Sequence, residues 1–397
     1  MTIVEKILAR ASGLRKTSPG EYVTAKIDVA MMPEMFQLLR TVLSKGGIQP
    51  EALQIWDRER FFVILDHRVP AFAVPNAETQ KSCREFAKKL KVKYFYDVFP
   101  GIGHQIMMEK GHVRPGELIV GADSHTTTYG ALNAAATGIG TSEMAYVIQT
   151  GELWFRVPET MKFVLTGSLP EGVYSKDVIL EIIRLIGVDG ALYKAMEFTG
   201  KVIDELSVEA RFTIANMAIE AGAKSGIINP DEKTIEYVRA RSDEDFTVYA
   251  SDPDAEFSEV IEIDCSGLEP LVAFPHLPSN SRKAREAGDM KIDQVYIGSC
   301  TNGRIEDLRI AARILRGRKV AEGTRCIVVP ASTKVWRQAM KEGLFDIFSD
   351  ARCVVSTPTC GACLGGYMGI LASGERCVST TNRNFVGRMG SPESEVY

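Results

Sequence analysis

Two short segments carry the chemistry of this 397-residue chain. Gly298-Ser299-Cys300-Thr301-Asn302-Gly303 and Pro358-Thr359-Cys360-Gly361-Ala362-Cys363 each follow a short apolar β-type run, Gln294-Val295-Tyr296-Ile297 and Cys353-Val354-Val355-Ser356. Each cysteine set is therefore expected just beyond the carboxyl end of a strand, where open α/β sheets build their sites. The Cys360-x-x-Cys363 spacing brings two thiolates to one metal centre, and Cys300 on a neighbouring strand tip would supply a third. A structural zinc site takes four ligands in a closed tetrahedron, and an electron-transfer iron–sulfur cluster usually takes four cysteines. Three thiolates on a cubane cluster would leave one iron open to water or substrate, a Lewis acid able to polarise a leaving hydroxyl. The same residues also suit ordinary buried thiols, because free Cys behaves as a small hydrophobe.

Histidines are placed in a similar way. Phe61-Phe62-Val63-Ile64-Leu65 ends in Asp66-His67, Tyr94-Phe95-Tyr96 is followed by Gly101, Gly103 and His104, and Leu118-Ile119-Val120 is followed by Asp123-Ser124-His125. The chain has only five histidines, so three at strand ends is more than scatter. A carboxylate beside an imidazole raises its pKa and fixes its tautomer, which suits a general acid that hands a proton to a departing hydroxyl. Further on, Asn382-Arg383-Asn384-Phe385-Val386-Gly387-Arg388 follows another apolar run and carries two guanidinium groups, the fork that binds carboxylates in bidentate fashion.

In this order and spacing, Gly-Ser-Cys-Thr-Asn-Gly-Arg with Glu306-Asp307-Leu308, then Cys-Gly-Ala-Cys, then Asn382 to Arg388, the chain resembles the aconitase superfamily from Ile3 to Tyr397. It is most similar to the separate large subunits of the 3-isopropylmalate dehydratase and homoaconitase type. The resemblance implies a 4Fe-4S cluster on Cys300, Cys360 and Cys363, with one iron lacking a cysteine ligand. It implies that Asp66, His67, His104, Asp123 and His125 are the site's acids and their partners, and that Glu197 bonds water or substrate near the open iron. Ser124, Asn382, Arg383 and Arg388 match residues that neighbour the cluster or handle substrate. The activity implied is a hydro-lyase that isomerises a hydroxy di- or tricarboxylate by loss and re-addition of water, with 3-isopropylmalate in leucine biosynthesis as the expected substrate. Homoaconitate and dimethylmaleate-like acids stay open, because Met31-Met32-Pro33-Glu34-Met35 replaces the polar His-Asp or Gln-Asp segment usual in the family. The serine base and further carboxylate-binding arginines of single-chain aconitases lie in a fourth domain with no counterpart here, so a separate small subunit is expected to close over the cluster.

Composition sets the remaining bounds. With 45% hydrophobic and 25% charged residues, the chain has the make-up of a globular protein. A net charge of −4 with interspersed signs provides no basic field for nucleic acid or membrane. Eight cysteines in this length are no disulfide scaffold, and the beginning carries no leader pattern, so a reducing cytoplasmic setting is expected. Two rivals use the same cysteines: an iron-sensing RNA-binding regulator, disfavoured by the missing basic stripe, and a zinc-stabilised module.

The apolar patterning predicts α/β units built on parallel sheets with covering helices, and the resemblance implies the aconitase-type three-domain α/β/α architecture without the swivelling fourth, divided as residues 1–157, 158–270 and 271–397. Thr2 and Glu5 have capping-box spacing before a helix. A strand-like run covers Tyr22 to Ala30, helices are expected over Ser175 to Ile186, Arg211 to Ala221 and Ile305 to Leu315, and another over Cys363 to Leu371. Residues 242–259 are acidic and polar and read as a solvated loop. Cys326, Cys353 and Cys377 fall within apolar runs and read as core.

Overall fold

Three stretches of alternating strand and helix each close into a parallel sheet. A computed structural model describes residues 1–47 and 53–397. The first sheet runs Tyr94–Tyr96, Phe61–Ile64, Val29–Met32, Leu118–Gly121, Ala135–Gly138 in spatial order, all parallel. Its central strands are buried along their whole length, as expected where helices cover both faces and the strands read as unbroken apolar runs. The second sheet is Ser225–Ile228, Ala195–Thr199, Thr160–Thr166, Glu259–Asp264, and the third is Val354–Val355, Arg325–Val329, Gln294–Gly298, Arg376–Ser379, Glu395–Val396. Every pairing within these two sheets is parallel as well. Two short antiparallel pairs, Tyr22–Lys26 with Glu152–Arg156 and Leu271–Ala273 with Ser281–Lys283, complete the sheets among the described residues.

The first helix, Ile3–Ser12, starts with the reciprocal cap: Thr2 N donates to Glu5 Oε2 at 3.0 Å and Glu5 N to Thr2 Oγ1 at 3.5 Å. The Tyr22 to Ala30 run divides. Tyr22–Lys26 alternates exposed and buried residues and pairs antiparallel with Glu152–Arg156, whereas Val29–Met32 is buried throughout and enters the first sheet. Period-2 alternation marks the half-exposed piece, and the reading as a single run overlooked it. The helices Ser175–Ile186 and Ile305–Leu315 form with the bounds their periodicity predicts. The helix expected over Cys363 to Leu371 does not form. One 3₁₀ turn, Gly361–Leu364, is followed by bends, because Gly365 and Gly369 take left-handed φ of +74° and +94°. The acidic stretch 242–258 has no helix or strand, although Ser251 and Asp252 fold back onto the first helix through Ile3 N and the amino terminus.

The apolar interior does not respect the sheets equally. Met31, Phe62 and Ile106 of the first unit share one core with Phe163, Phe198 and Ile214 of the second, while the third sheet has its own clusters around Leu308, Phe348 and Tyr296. The first two units thus pack as one block, against which the third presents its strand tips. No described helix is long and apolar enough to cross a membrane.

Candidate active site

The Cys300 turn is built by close approach of backbone. Gly298 ends its strand at φ +142°, where a Cβ would lie 2.1 Å from the Val329 carbonyl oxygen, and Ser299 follows in a left-handed conformation at φ +75°. Such geometry in a non-glycine residue is costly and tends to mark sites. The buried Arg304 offsets it by donating from Nη1 to the Cys300 carbonyl at 2.7 Å and from Nη2 to the Thr301 carbonyl and to Thr213 Oγ1. From the second unit, Asn216 Nδ2 reaches Cys300 Sγ at 3.4 Å.

Cys360 and Cys363 are tied instead to the first sheet. Cys360 N donates to the Asp66 carbonyl at 2.8 Å and Gly361 N to the His67 carbonyl at 3.1 Å, with Thr359 Oγ1 adding a bond to the Asp66 carbonyl at 3.0 Å. The two cysteine sets meet at Asn382, whose Nδ2 lies 3.7 Å from Cys300 Sγ while its Oδ1 lies 3.6 Å from Cys363 Sγ. One amide therefore touches sulfurs from both segments. Arg388 Nη2 stands 3.9 Å from Cys363 Sγ, and its buried Nε has no acceptor among the described residues.

Around these sulfurs runs a continuous chain of titratable groups. Asp66 Oδ1 lies 2.5 Å from His67 Nδ1, and its Oδ2 accepts from Gly103 N at 2.7 Å. Asp123 serves all three histidines, at 3.3 Å from His67 Nε2, 2.8 Å from His104 Nε2 and 3.6 Å from His125 Nδ1. His104 Nδ1 faces the buried Tyr129 hydroxyl at 3.1 Å. His125 Nε2 bonds Glu220 at 2.8 Å, and Glu220 in turn holds Arg383 Nε. Burial opposes charge on His67, yet Asp66, Asp123 and Glu34 together lift its pKa well above the usual histidine value. Asp123 is likewise buried, but its three imidazoles hold it well below the usual carboxylate range. Opposite charges at hydrogen-bond distance outweigh desolvation in both cases.

The structure thus brings Asp66, His67, His104, Asp123, Ser124, His125, Asn382, Arg383 and Arg388 to a cavity of about 80 Å³ shared with Cys300, Cys360 and Cys363. It does not bring Glu197 there. Glu197 lies mid-strand in the second sheet, buried, with its carboxylate accepting from Ser251 Oγ at 2.6 Å beside the start of the first helix. That correction has a simple cause: Glu197 falls in the middle of the strand Ala195–Thr199 and not at its tip, where the other site residues are delivered. The glutamate beside the centre is Glu220. It escaped notice because Arg211 to Ala221 reads as a core face, yet Asn216 and Glu220 are four apart and both buried within it, and a buried polar pair at that helical spacing was the available signal. Glu34, in the Met31–Met35 segment that stands where the family usually has a His-Asp or Gln-Asp pair, accepts the backbone N–H groups of Asp66, His67 and Arg68 at 2.8, 3.1 and 2.7 Å. It sets the loop that carries His67.

The donor set fits a cluster. Burial pushes the Cys300 thiol up to about 12, so thiolates here need a cationic inorganic partner to share their charge. Arg388 and His125 add positive charge beside Cys363.

Residues 63–397 match the aconitase family (aconitate hydratase). The chain is 57% identical over 403 residues to the 3-isopropylmalate dehydratase large subunit of Aquifex aeolicus, covering all of this chain and 92% of that protein. It is 55% identical over 405 residues to the 3-isopropylmalate dehydratase large subunit 1 of Pyrococcus abyssi, covering all of this chain and 94% of the relative. Among solved structures, the holo form of aconitase X from Thermococcus kodakaraensis superposes with a TM-score of 0.53 at 12% identity, over 90% of this chain and 84% of that one, a likeness of fold.

Proposed function

Because the chain belongs to the aconitase family, we propose that it is the cluster-bearing large subunit of a hydro-lyase that interconverts 3-isopropylmalate and 2-isopropylmalate by dehydration and rehydration. The names of its relatives and their full-length identity support that substrate. Cys300, Cys360 and Cys363 would hold a 4Fe-4S cluster whose remaining iron, free of a cysteine ligand, supplies a Lewis acid for the substrate's hydroxyl and carboxylate.

The protein's own groups do the rest. Arg383, oriented through its Nε by Glu220, and Arg388, whose Nε has no acceptor among the described residues, suit the carboxylates of a dianion. His67 is the best-placed acid: its Nδ1 is fixed by Asp66, and its Nε2 has only the longer 3.3 Å contact with Asp123. Against the opposing effect of burial, Asp66, Asp123 and Glu34 raise its pKa well above the usual histidine value, which favours the protonated imidazole. His67 gives that proton to the departing hydroxyl, which leaves as water, and the neutral imidazole, still aligned by Asp66 and Asp123, takes a proton back from the water that re-adds. As the C–O bond breaks, a base takes the proton from the neighbouring carbon and an alkene diacid forms. Water re-adds with the opposite orientation. His104 and His125 keep Asp123 aligned. The base is expected on a separate small subunit closing over the cavity, in a reducing compartment, which accords with three thiols kept free of disulfides.

The observation that supports this reading most strongly is the single Asn382 amide in contact with both Cys300 and Cys363 sulfurs. Anaerobic purification with iron and sulfide analysis tests it. Wild-type protein should be coloured and carry close to four irons, and Cys363→Ser should lose the cluster and the turnover of the two-subunit enzyme. A colourless protein holding zinc would refute the proposal. Assay of 3-isopropylmalate against homoaconitate and dimethylmaleate identifies the substrate.

A further inference from the structure

Lys176 occupies the second position of the helix Ser175–Ile186, where a cation faces the positive end of the helix dipole. The helix gains nothing from it, since Asp177 already caps the first turn by accepting from Tyr174 N at 2.8 Å. Its ammonium instead leaves the second unit. Nζ donates to the Thr380 carbonyl at 3.0 Å, to the Thr381 carbonyl at 2.5 Å, and to Asn302 Oδ1 at 3.5 Å. Thr380 and Thr381 immediately precede Asn382 and Arg383, and Asn302 closes the short helix Ser299–Asn302 that carries Cys300. An ammonium has three donors, and here three neutral acceptors take them. No carboxylate lies within ion-pair distance of Nζ among the described residues, and burial lowers its pKa to about 8. Lys176 also lines a larger, mainly apolar cleft of about 790 Å³ between the second and third units. It therefore stands in the wall between that cleft and the site, whose lining includes Asn382 and Arg383 on both sides.

We propose that Lys176 is a positioning residue for substrate binding, clamping the Thr380–Thr381 turn from the second unit so that Asn382 and Arg383 keep their reach into the cavity. The inference rests on the reading of Arg383 as a carboxylate binder. Glu220 fixes the guanidinium and Lys176 fixes the backbone beneath it, and both belong to the same packed block. Without the clamp the turn swings, so carboxylate binding suffers before proton transfer does.

Lys176→Met and Lys176→Arg in the reconstituted holoenzyme provide the test. The Met variant should raise KM for 3-isopropylmalate about tenfold, the scale of one lost charge-assisted hydrogen bond. Its kcat should stay near that of the wild type, and its iron and sulfide content should not change. The Arg variant should recover most of the loss. Amide hydrogen exchange over residues 380–383 should accelerate in the Met variant and slow again in the Arg variant. If Lys176→Met does not fold, Lys176→Gln carries the same measurements. An unchanged KM in an active enzyme, or a parallel loss of iron and kcat, overturns the clamp. A wild type inactive on every hydroxy acid sinks the functional reading alone, because exchange still decides the clamp: unchanged exchange rates overturn it and accelerated ones support it.

Discussion

Glu220 holds His125 by one carboxylate oxygen, 2.8 Å from the imidazole Nε2, and that same oxygen lies 2.8 Å from Arg383 Nε. A helix of the second unit thereby orients one group from the first sheet and one from the third. Glu220→Gln keeps the volume and loses the charge. Turnover of the two-subunit enzyme should fall by about a hundredfold, the usual scale for disturbing an acid–base network, while iron and sulfide content stay at wild-type levels. Steady-state kinetics beside metal analysis checks both halves.

The same carboxylate gives a pH signature. Burial works against its charge, but His125 and Arg383 hold its pKa below the ordinary 4.5. A folded pKa depressed in this way contributes stability that is complete above pH 4.5 and lost as pH falls through the depressed value. Wild-type apoprotein should therefore exceed Glu220→Gln in unfolding midpoint at pH 7, and the gap should narrow in acid below pH 4.5. Chemical denaturation of both proteins across that range measures it, and a gap that widens in acid would contradict the assignment.

Gly138 has no side chain because none fits: a Cβ there would sit 2.7 Å from the Asp123 carbonyl oxygen and 2.9 Å from Ser124 Cα. Gly138→Ala should cost about 1–3 kcal/mol of stability, as overpacking generally does. It should also lower kcat/KM, since Asp123 is the shared partner of three histidines. Thermal unfolding and kinetics on one preparation would show the two losses together.

Arg211 is fully buried and pairs with Asp231, which also caps the helix Glu232–Arg239 by accepting from Thr234 N at 3.0 Å. Asp231→Ala leaves the guanidinium uncompensated and should destabilise the protein by about 3 kcal/mol or more. Arg211 lies on the helix Val208–Met217, which carries Asn216, so the variant should also weaken retention of the cluster. Urea titration and iron content follow these effects.

Much of this site was legible in the sequence for one reason. Cys300, His67 and His125 each come directly after an apolar run, and parallel strands deliver whatever follows them to a common edge. Residues that reach the site from helices were not legible. Glu220 and Asn216 hide within an apolar stretch, and nothing local in the sequence says where Lys176 reaches or that Arg304 is buried. Glu197 was misplaced because a motif position carries no direction, and Glu34 was overlooked because its partners are backbone amides 32 to 34 residues away. The three-unit architecture followed from strand–helix alternation, whereas the common core of the first two units depends on side-chain contacts that alternation does not encode.

The groups around the cavity come from positions as early as Glu34 and as late as Arg388, and each leans on another from a distant part of the chain. A polypeptide still emerging from the ribosome can own two legs of this tripod without having a place to receive metal. If these thiols hold the proposed cluster, iron and sulfide would be delivered only after residues up to Arg388 have been made, and a nascent chain that stalls before Cys360 would expose the Cys300 thiol without its two partners.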